Sequence, residues 1–236
     1  MDIWFYLESN RDAEATEALQ RRKELVGKAL LEQQWYTGAK IGYGDKPLIL
    51  CIDMQKLFTE ESSPLGGNMP GFPLVKRAII ALKRLIAAGR ERDIQVVYTV
   101  VAFRKDKKDM GLWKVPHLGL ATLGSKWVEL CEELEQREED ILFVRKMPSA
   151  FWGTELLNTL IVNKFDTLIL TGSNTSGCIR ATTIASFMHG FRTIIPEDCV
   201  GDLTGEEPHW ANLRDVNARY ADVVSVEDVL DYFQRL

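Results

Sequence analysis

Residues 167–196 read TLILTGSNTSGCIRATTIASFMHGFRTIIP, and this stretch decides the fold. TLILTG has the length and apolarity of a buried strand, SNTSG is a turn, the segment from Cys178 to His189 reads as a helix, and FRTIIP is a second strand. A helix between two buried strands makes the strands parallel. The same alternation runs outward in both directions. LILCID at 48–53, IQVVYTVV at 94–101, ILFV at 141–144 and DVVSV at 222–226 are further strand signals. Between them, VKRAIIALKRLIAAGRERD, SKWVELCEELEQ, WGTELLNTLIVN, a segment around 208–219 and the C-terminus carry helical spacing. The expected fold is α/β, a doubly wound, mostly parallel six-stranded sheet with helices on both faces.

Ahead of this domain, residues 10–36 read as a helix, with Ala15, Leu19, Val26 and Leu30 at four- and seven-residue steps among charged neighbours. The Gly-rich piece TGAKIGYGDKP separates it from the first strand, so the expected division is an N-terminal helical arm at 1–45 and one domain at 46–236. An apolar stripe on a lone helix needs a covering surface, which points to a homodimer or homotetramer.

Composition excludes several classes. Of 236 residues, 46% are hydrophobic and 27% charged, which is a globular balance rather than a disordered one. A net charge of -5 offers no basic field for nucleic acid. The acidic start is unlike a secretory signal, and no run approaches the roughly 20 apolar residues of a membrane span. Four scattered cysteines without a CxxC pair suggest neither a zinc ribbon nor a disulfide scaffold. The expected setting is a reducing cytoplasm, without membrane or nucleic acid as partner.

Ligands of doubly wound sheets bind beyond the carboxyl ends of the strands. Three groups stand there: Asp53 after LILCI, Lys146 after ILFVR, and Cys178 after TLILTGSNTSG. Each also has an ordinary reading, as a turn former, a solvated loop charge and a buried thiol. Cys178 is the sharpest candidate, because a helix start favours a thiolate and its N–H groups suit an oxyanion. Asp53 then serves as general base and Lys146 holds the carboxylate. Cys51 lies inside a strand, while Cys131 and Cys199 have acidic neighbours.

Together, IDMQKLFTEESSPLG, RKMPSAFWGTEL and TGSNTSGCIRATTIASFMHGFRTIIPEDCVGD resemble the cysteine hydrolases of the isochorismatase-like superfamily, over roughly residues 46–230. The likeness is to its N-carbamoylsarcosine and maleamate amidohydrolase branch. It implies a catalytic triad of Asp53, Lys146 and Cys178, and a cis peptide between Ser173 and Asn174. It also implies an oxyanion hole made by the N–H groups of Asn174 and Cys178. The implied reaction is thiolate attack on an amide or ureido carbonyl of a small-molecule amide, ammonia release, and hydrolysis of the thioester.

No metal and no cofactor is expected, because His117, His189 and His209 do not form the Asp-x-His pattern of the nicotinamidase relatives. Leu203 follows Val-Gly-Asp where acid-processing relatives often carry Arg, leaving Arg180, Lys114 or Arg104 as substitutes, or a neutral substrate. The loop at 104–119 reads equally as a site cover or a solvated loop. Phe58, Trp113, Phe151 and Trp152 are candidates for pocket walls as well as for core, and Phe58, Trp113, Phe151 and Arg180 are taken as the substrate-binding set. Rival readings are hydrolysis of a cyclic amide or a vinyl ether, or a non-catalytic oligomeric binding protein.

Overall fold

A computed structural model describes residues 39–236 together with Arg21 and Glu24. The helix expected over 10–36 therefore lies outside the described residues, apart from those two, which are helical.

Strand β1 (Pro47–Ile52) is buried along its whole length. Its side chains divide by the two-residue period of a strand: Leu48, Leu50 and Ile52 enter one apolar cluster, Ile49 and Cys51 the other. A strand buried on both faces has to be apolar throughout, which is why LILCI carries no polar alternation. It is followed by the short helix α1 (Lys56–Thr59) and by α2 (Phe72–Arg90). In α2, Leu74, Val75, Ala78, Ile79, Leu82, Leu85, Ile86 and Gly89 recur at three- and four-residue steps and form its buried stripe.

The order continues with β2 (Gln95–Val101), β3 (Ile141–Arg145), α3 (Leu156–Asn163), β4 (Thr167–Ser173) and α4 (Arg180–Met188). It closes with β5 (Arg192–Pro196), β6 (Val200–Gly201), α5 (Glu206–Asn217), β7 (Asp222–Val224) and α6 (Val226–Gln234). The sheet order is β3-β2-β1-β4-β5-β7, and β6 pairs with the end of β4. Every strand pair is parallel. Helices α2 and α6 pack on one face, with Val75, Leu82, Val229 and Phe233 in its cluster. Helices α3 and α5, with the turn that leads into α4, cover the other through Leu156, Leu160, Ile179 and Leu213. Among the described residues no helix is long and apolar enough to cross a membrane.

The structure differs from the sequence expectation in two places. The sheet has a seventh strand, β6, which at two residues is too short to leave a periodic signal. SKWVELCEELEQ is no α-helix but holds two 3-10 turns, Lys126–Val128 and Glu132–Leu134. The stretch between them is recruited by the loop after β1: Lys56 N–H donates to Glu129 O at 2.8 Å and Cys131 N–H to Met54 O at 2.8 Å. Tertiary pairing overrides the helical spacing of Trp127, Leu130, Cys131 and Leu134.

Where β4 leaves the sheet, Gly172 takes φ +108°, and a Cβ there would lie 2.0 Å from the Ile52 carbonyl oxygen. Only glycine permits this approach of β4 to β1. Gly172→Ala is expected to destabilise the protein by more than about 2 kcal/mol in urea unfolding. An unchanged midpoint would contradict the close approach.

Candidate active site

Strand β1 has β2 on one side and β4 on the other, so the chain leaves the two in opposite directions and opens a crevice at their carboxyl ends. Asp53, the first residue beyond β1, is buried in that crevice. Its backbone is left-handed, at φ 53°, and its N–H donates to Thr99 O on β2 at 2.9 Å. Buried Gln55 braces the turn: its side-chain N–H groups donate to Val101 O (3.1 Å) and Trp127 O (2.9 Å), and its Oε1 accepts from Val101 N–H (2.8 Å).

The basic partner of Asp53 is Arg145, not Lys146. Along β3, Ile141, Phe143 and Arg145 share one face while Leu142 and Val144 are exposed on the other. Arg145 therefore turns inward and Lys146 outward. The Arg145 side chain is 0% exposed, and its Nη2 donates to Asp53 Oδ2. Nη1 donates to Met147 O, and Nε reaches Thr99 Oγ1 at 3.4 Å. The side chain of Lys146 is 33% exposed and turned elsewhere, with Nζ donating to Ala102 O and lying 3.1 Å from Asp109. Since Trp113 Nε1–H donates to Lys146 O at 2.8 Å, Lys146 and Trp113 together latch the 104–119 loop to the end of β3. Strand parity counted from Phe143 is the signal that would have found Arg145.

Cys178 sits in a π-helical turn, Thr175–Ile179, ahead of α4. The turn is closed by N–H groups of Gly177 (3.0 Å) and Ile179 (3.2 Å) on Asn174 O, and the Ser173–Asn174 peptide is cis, as the resemblance implied. Such single π turns are frequent at functional sites. The thiol faces both Asp53 and Arg145. Burial pushes it up to about 12; the Arg145 charge pulls it down, and the Asp53 carboxylate pushes it up further. Burial therefore works against the thiolate that a helix start is expected to favour.

Burial likewise raises Asp53 against the opposing pull of Arg145 and of the hydrogen bonds from Cys178 and Arg145. Burial opposes the charge on Arg145, but Asp53 and Cys178 outweigh it and hold the guanidinium above its usual value. The site thus pairs the Asp53 carboxyl with the Arg145 guanidinium and holds the Cys178 thiol toward its neutral form. Asp53 Oδ1 receives no well-formed hydrogen bond from the described residues, and the thiol is the donor facing that carboxylate. Cys178 is half-buried, whereas Cys51, Cys131 and Cys199 are buried.

The residues expected to bind substrate make the following contacts. Phe58 is buried in the core under α2. Phe151 packs on His189 and Phe191, with ring centroids 5.1 and 6.2 Å away, at the far end of α4. Trp113 anchors the 104–119 loop, and exposed Trp152 is no core residue. Arg180 is paired with Asp215 on α5 at 3.3 Å, and Arg104 with Asp106 at 2.9 Å. Leu203 is buried in the core. Among the described residues no three His, Cys, Asp or Glu side chains gather into a possible metal site.

A model of the Isochorismatase domain matches residues 47–228. Maleamate amidohydrolase of Pseudomonas putida is 34% identical over 202 residues, covering 84% of this chain and 92% of the relative. N-carbamoylsarcosine amidase of an Arthrobacter species is 32% identical over 204 residues, covering 84% and 75%. The crystal structure of a cysteine hydrolase from Pseudomonas syringae pv. phaseolicola superposes with a TM-score of 0.77 at 18% identity, over 84% of this chain and 99% of that one. That last likeness speaks for the fold.

Removing one member of a buried ion pair strands the other charge. Arg145→Met is expected to cost about 3 to 5 kcal/mol of stability, and Lys146→Met, at a partly exposed pair, about 1 kcal/mol or less. Urea unfolding of the two variants gives the comparison, and equal losses would contradict the assignment of Arg145 to Asp53.

Proposed function

The chain belongs to the isochorismatase domain family, and within that family we propose that it is an amidohydrolase. It cleaves the C–N bond of a small amide or N-carbamoyl compound through a thioester on Cys178. The observation that carries this reading is the contact of a half-buried thiol with a buried carboxylate that is itself paired to a fixed cation. The naming of two relatives more than 30% identical as amidohydrolase and amidase supports the same class of bond.

In this mechanism the Asp53 carboxylate takes the thiol proton as Cys178 Sγ attacks the carbonyl carbon. Transfer at the moment of attack suits a thiol held near 12, because a standing thiolate is not required. The negative charge then passes to the former carbonyl oxygen, which is received by the N–H groups of Asn174 and Cys178. Asp53, now protonated, gives the proton to the nitrogen, ammonia leaves, and the acyl group stays on sulfur. Water attacks the thioester carbonyl with Asp53 again as base, and the thiol and acid product separate. Arg145 holds Asp53 Oδ2 in place and offsets the charge of the carboxylate and sulfur throughout. Its guanidinium stays protonated across the working range, so it takes no part in moving protons.

The test is ammonia release over N-carbamoyl amino acids, half-amides of dicarboxylic acids, neutral aliphatic and aromatic amides, and lactams. Cys178→Ala should abolish release while keeping the parent's unfolding midpoint. Iodoacetamide should label the native protein once, at Cys178. Full turnover by Cys178→Ala would overturn the reading.

The acid limb of kcat/KM should report Asp53. Because burial raises its pKa, the protonated, inactive form persists above the usual carboxylate range, and activity rises only at correspondingly higher pH. An acid limb at or below about pH 4 would contradict that role.

A further inference from the structure

Behind the turn that carries Cys178 lies a second, separate set of buried polar groups. Strand β6 runs beside the end of β4, with Val200 opposite Gly172 and Gly201 opposite Ser173. The segment that follows it returns hydrogen bonds to the turn residue by residue. Leu203 N–H donates to Asn174 Oδ1 at 3.1 Å, and Thr175 Oγ1–H donates to Gly201 O at 3.1 Å. Ser176 N–H donates to Asp202 Oδ2 at 2.6 Å. Asp202 is fully buried, and its other oxygen accepts from Thr204 N–H at 3.0 Å and Thr204 Oγ1–H at 2.5 Å.

From α5, buried His209 adds a bond between its Nδ1 and Thr175 Oγ1 at 2.9 Å. The Thr175 hydroxyl has one proton, and Gly201 O receives it. The ring must therefore donate from Nδ1, which fixes the neutral Nδ1–H tautomer. Burial agrees, pushing the ring down to about 4 against the pull of Asp202, so it carries no proton to spare near neutrality. The ring is further held edge-on by Trp210, at 4.7 Å between centroids.

Three successive turn residues, Asn174, Thr175 and Ser176, are thus each tied to groups outside the turn, and none of the ties touches Asp53, Arg145 or the sulfur. We propose that His209, Thr175 and Asp202 form a clamp that fixes the nucleophile turn from behind, with His209 a positioning residue that acts through Thr175. The clamp keeps the N–H groups of Asn174 and Cys178 aimed at one point. The catalytic half of this inference rests on the amidohydrolase reading, and the structural half does not.

The test compares the full chain with Thr175→Val, Thr175→Ser, His209→Phe and His209→Asn. Val keeps the shape of Thr but no hydroxyl, and Asn keeps an N–H near the position of Nδ1. Amide hydrogen exchange over 174–179 should rise at least about tenfold in the Val and Phe variants and return to near the parent rate in Ser and Asn. On an amide that the parent hydrolyses, kcat should fall at least about tenfold in Val and Phe with KM changed less than about threefold, and recover in Ser and Asn.

Parent-like exchange in Thr175→Val overturns the clamp, with no substrate needed. Raised exchange with unchanged kcat overturns the positioning role. If His209→Phe fails to fold, the Thr175 pair decides. Turnover by Cys178→Ala would instead sink the amidohydrolase reading and leave the exchange result standing.

Discussion

A guanidinium and a carboxylate buried against one another lose their hydration, and each is tolerable only while the other stays in place. The pair Asp53–Arg145 imposes that condition on the crevice of this protein. The two groups come from strands that are not neighbours, because β2 lies between β1 and β3. Arg145 has to reach across β2, and Thr99, whose hydroxyl faces Nε and whose carbonyl accepts the Asp53 N–H, marks the crossing. Any shift of register between these strands would separate the charges. The apolar strands supply the energy of the sheet, and the ion pair fixes which ends of them meet.

The pair also sets the character of the thiol. A cysteine beside a lone carboxylate would be held strongly neutral, and one beside a lone guanidinium would ionise. Between the two, burial holds Cys178 toward its neutral form while it faces the Asp53 carboxyl. This arrangement suits an attack in which the thiol and carboxylate exchange one proton, while the fixed cation never changes its charge. Around it the loops are tied down separately: the 104–119 loop by Lys146 and Trp113, the turn at Cys178 by Asp202 and Thr175. A rigid sheet carrying loops at its carboxyl edge gives each tie a firm base.

Asp53 was legible because it directly follows an apolar run that can only be a buried strand, and Cys178 because it lies in the short turn between such a strand and a helix, where strand ends point at the crevice. The choice between Arg145 and Lys146 turned on one residue of strand parity. Taking the first residue after ILFVR gives the role to Lys146, although Arg145, still on β3, shares the inward parity of Ile141 and Phe143. Phe58, Phe151 and Arg180 show how a side chain near a site in sequence has several surfaces to choose from: Phe58 lies in the core, Phe151 packs on Phe191, and Arg180 pairs with Asp215 on α5. The two-residue strand β6 was beyond any periodic signal.

By itself the sequence determined the parallel doubly wound frame, the edge at which the crevice opens and two of the three groups that meet there. These follow from periodicity and chain order, which are local properties. Only the tertiary structure decided which cation faces the carboxylate, that burial pushes the thiol up, and that His209 and Asp202 stand behind the turn. Those depend on burial and on contacts between residues that are 26 to 125 apart in the chain. No local pattern records the dielectric surroundings that a distant strand or helix creates.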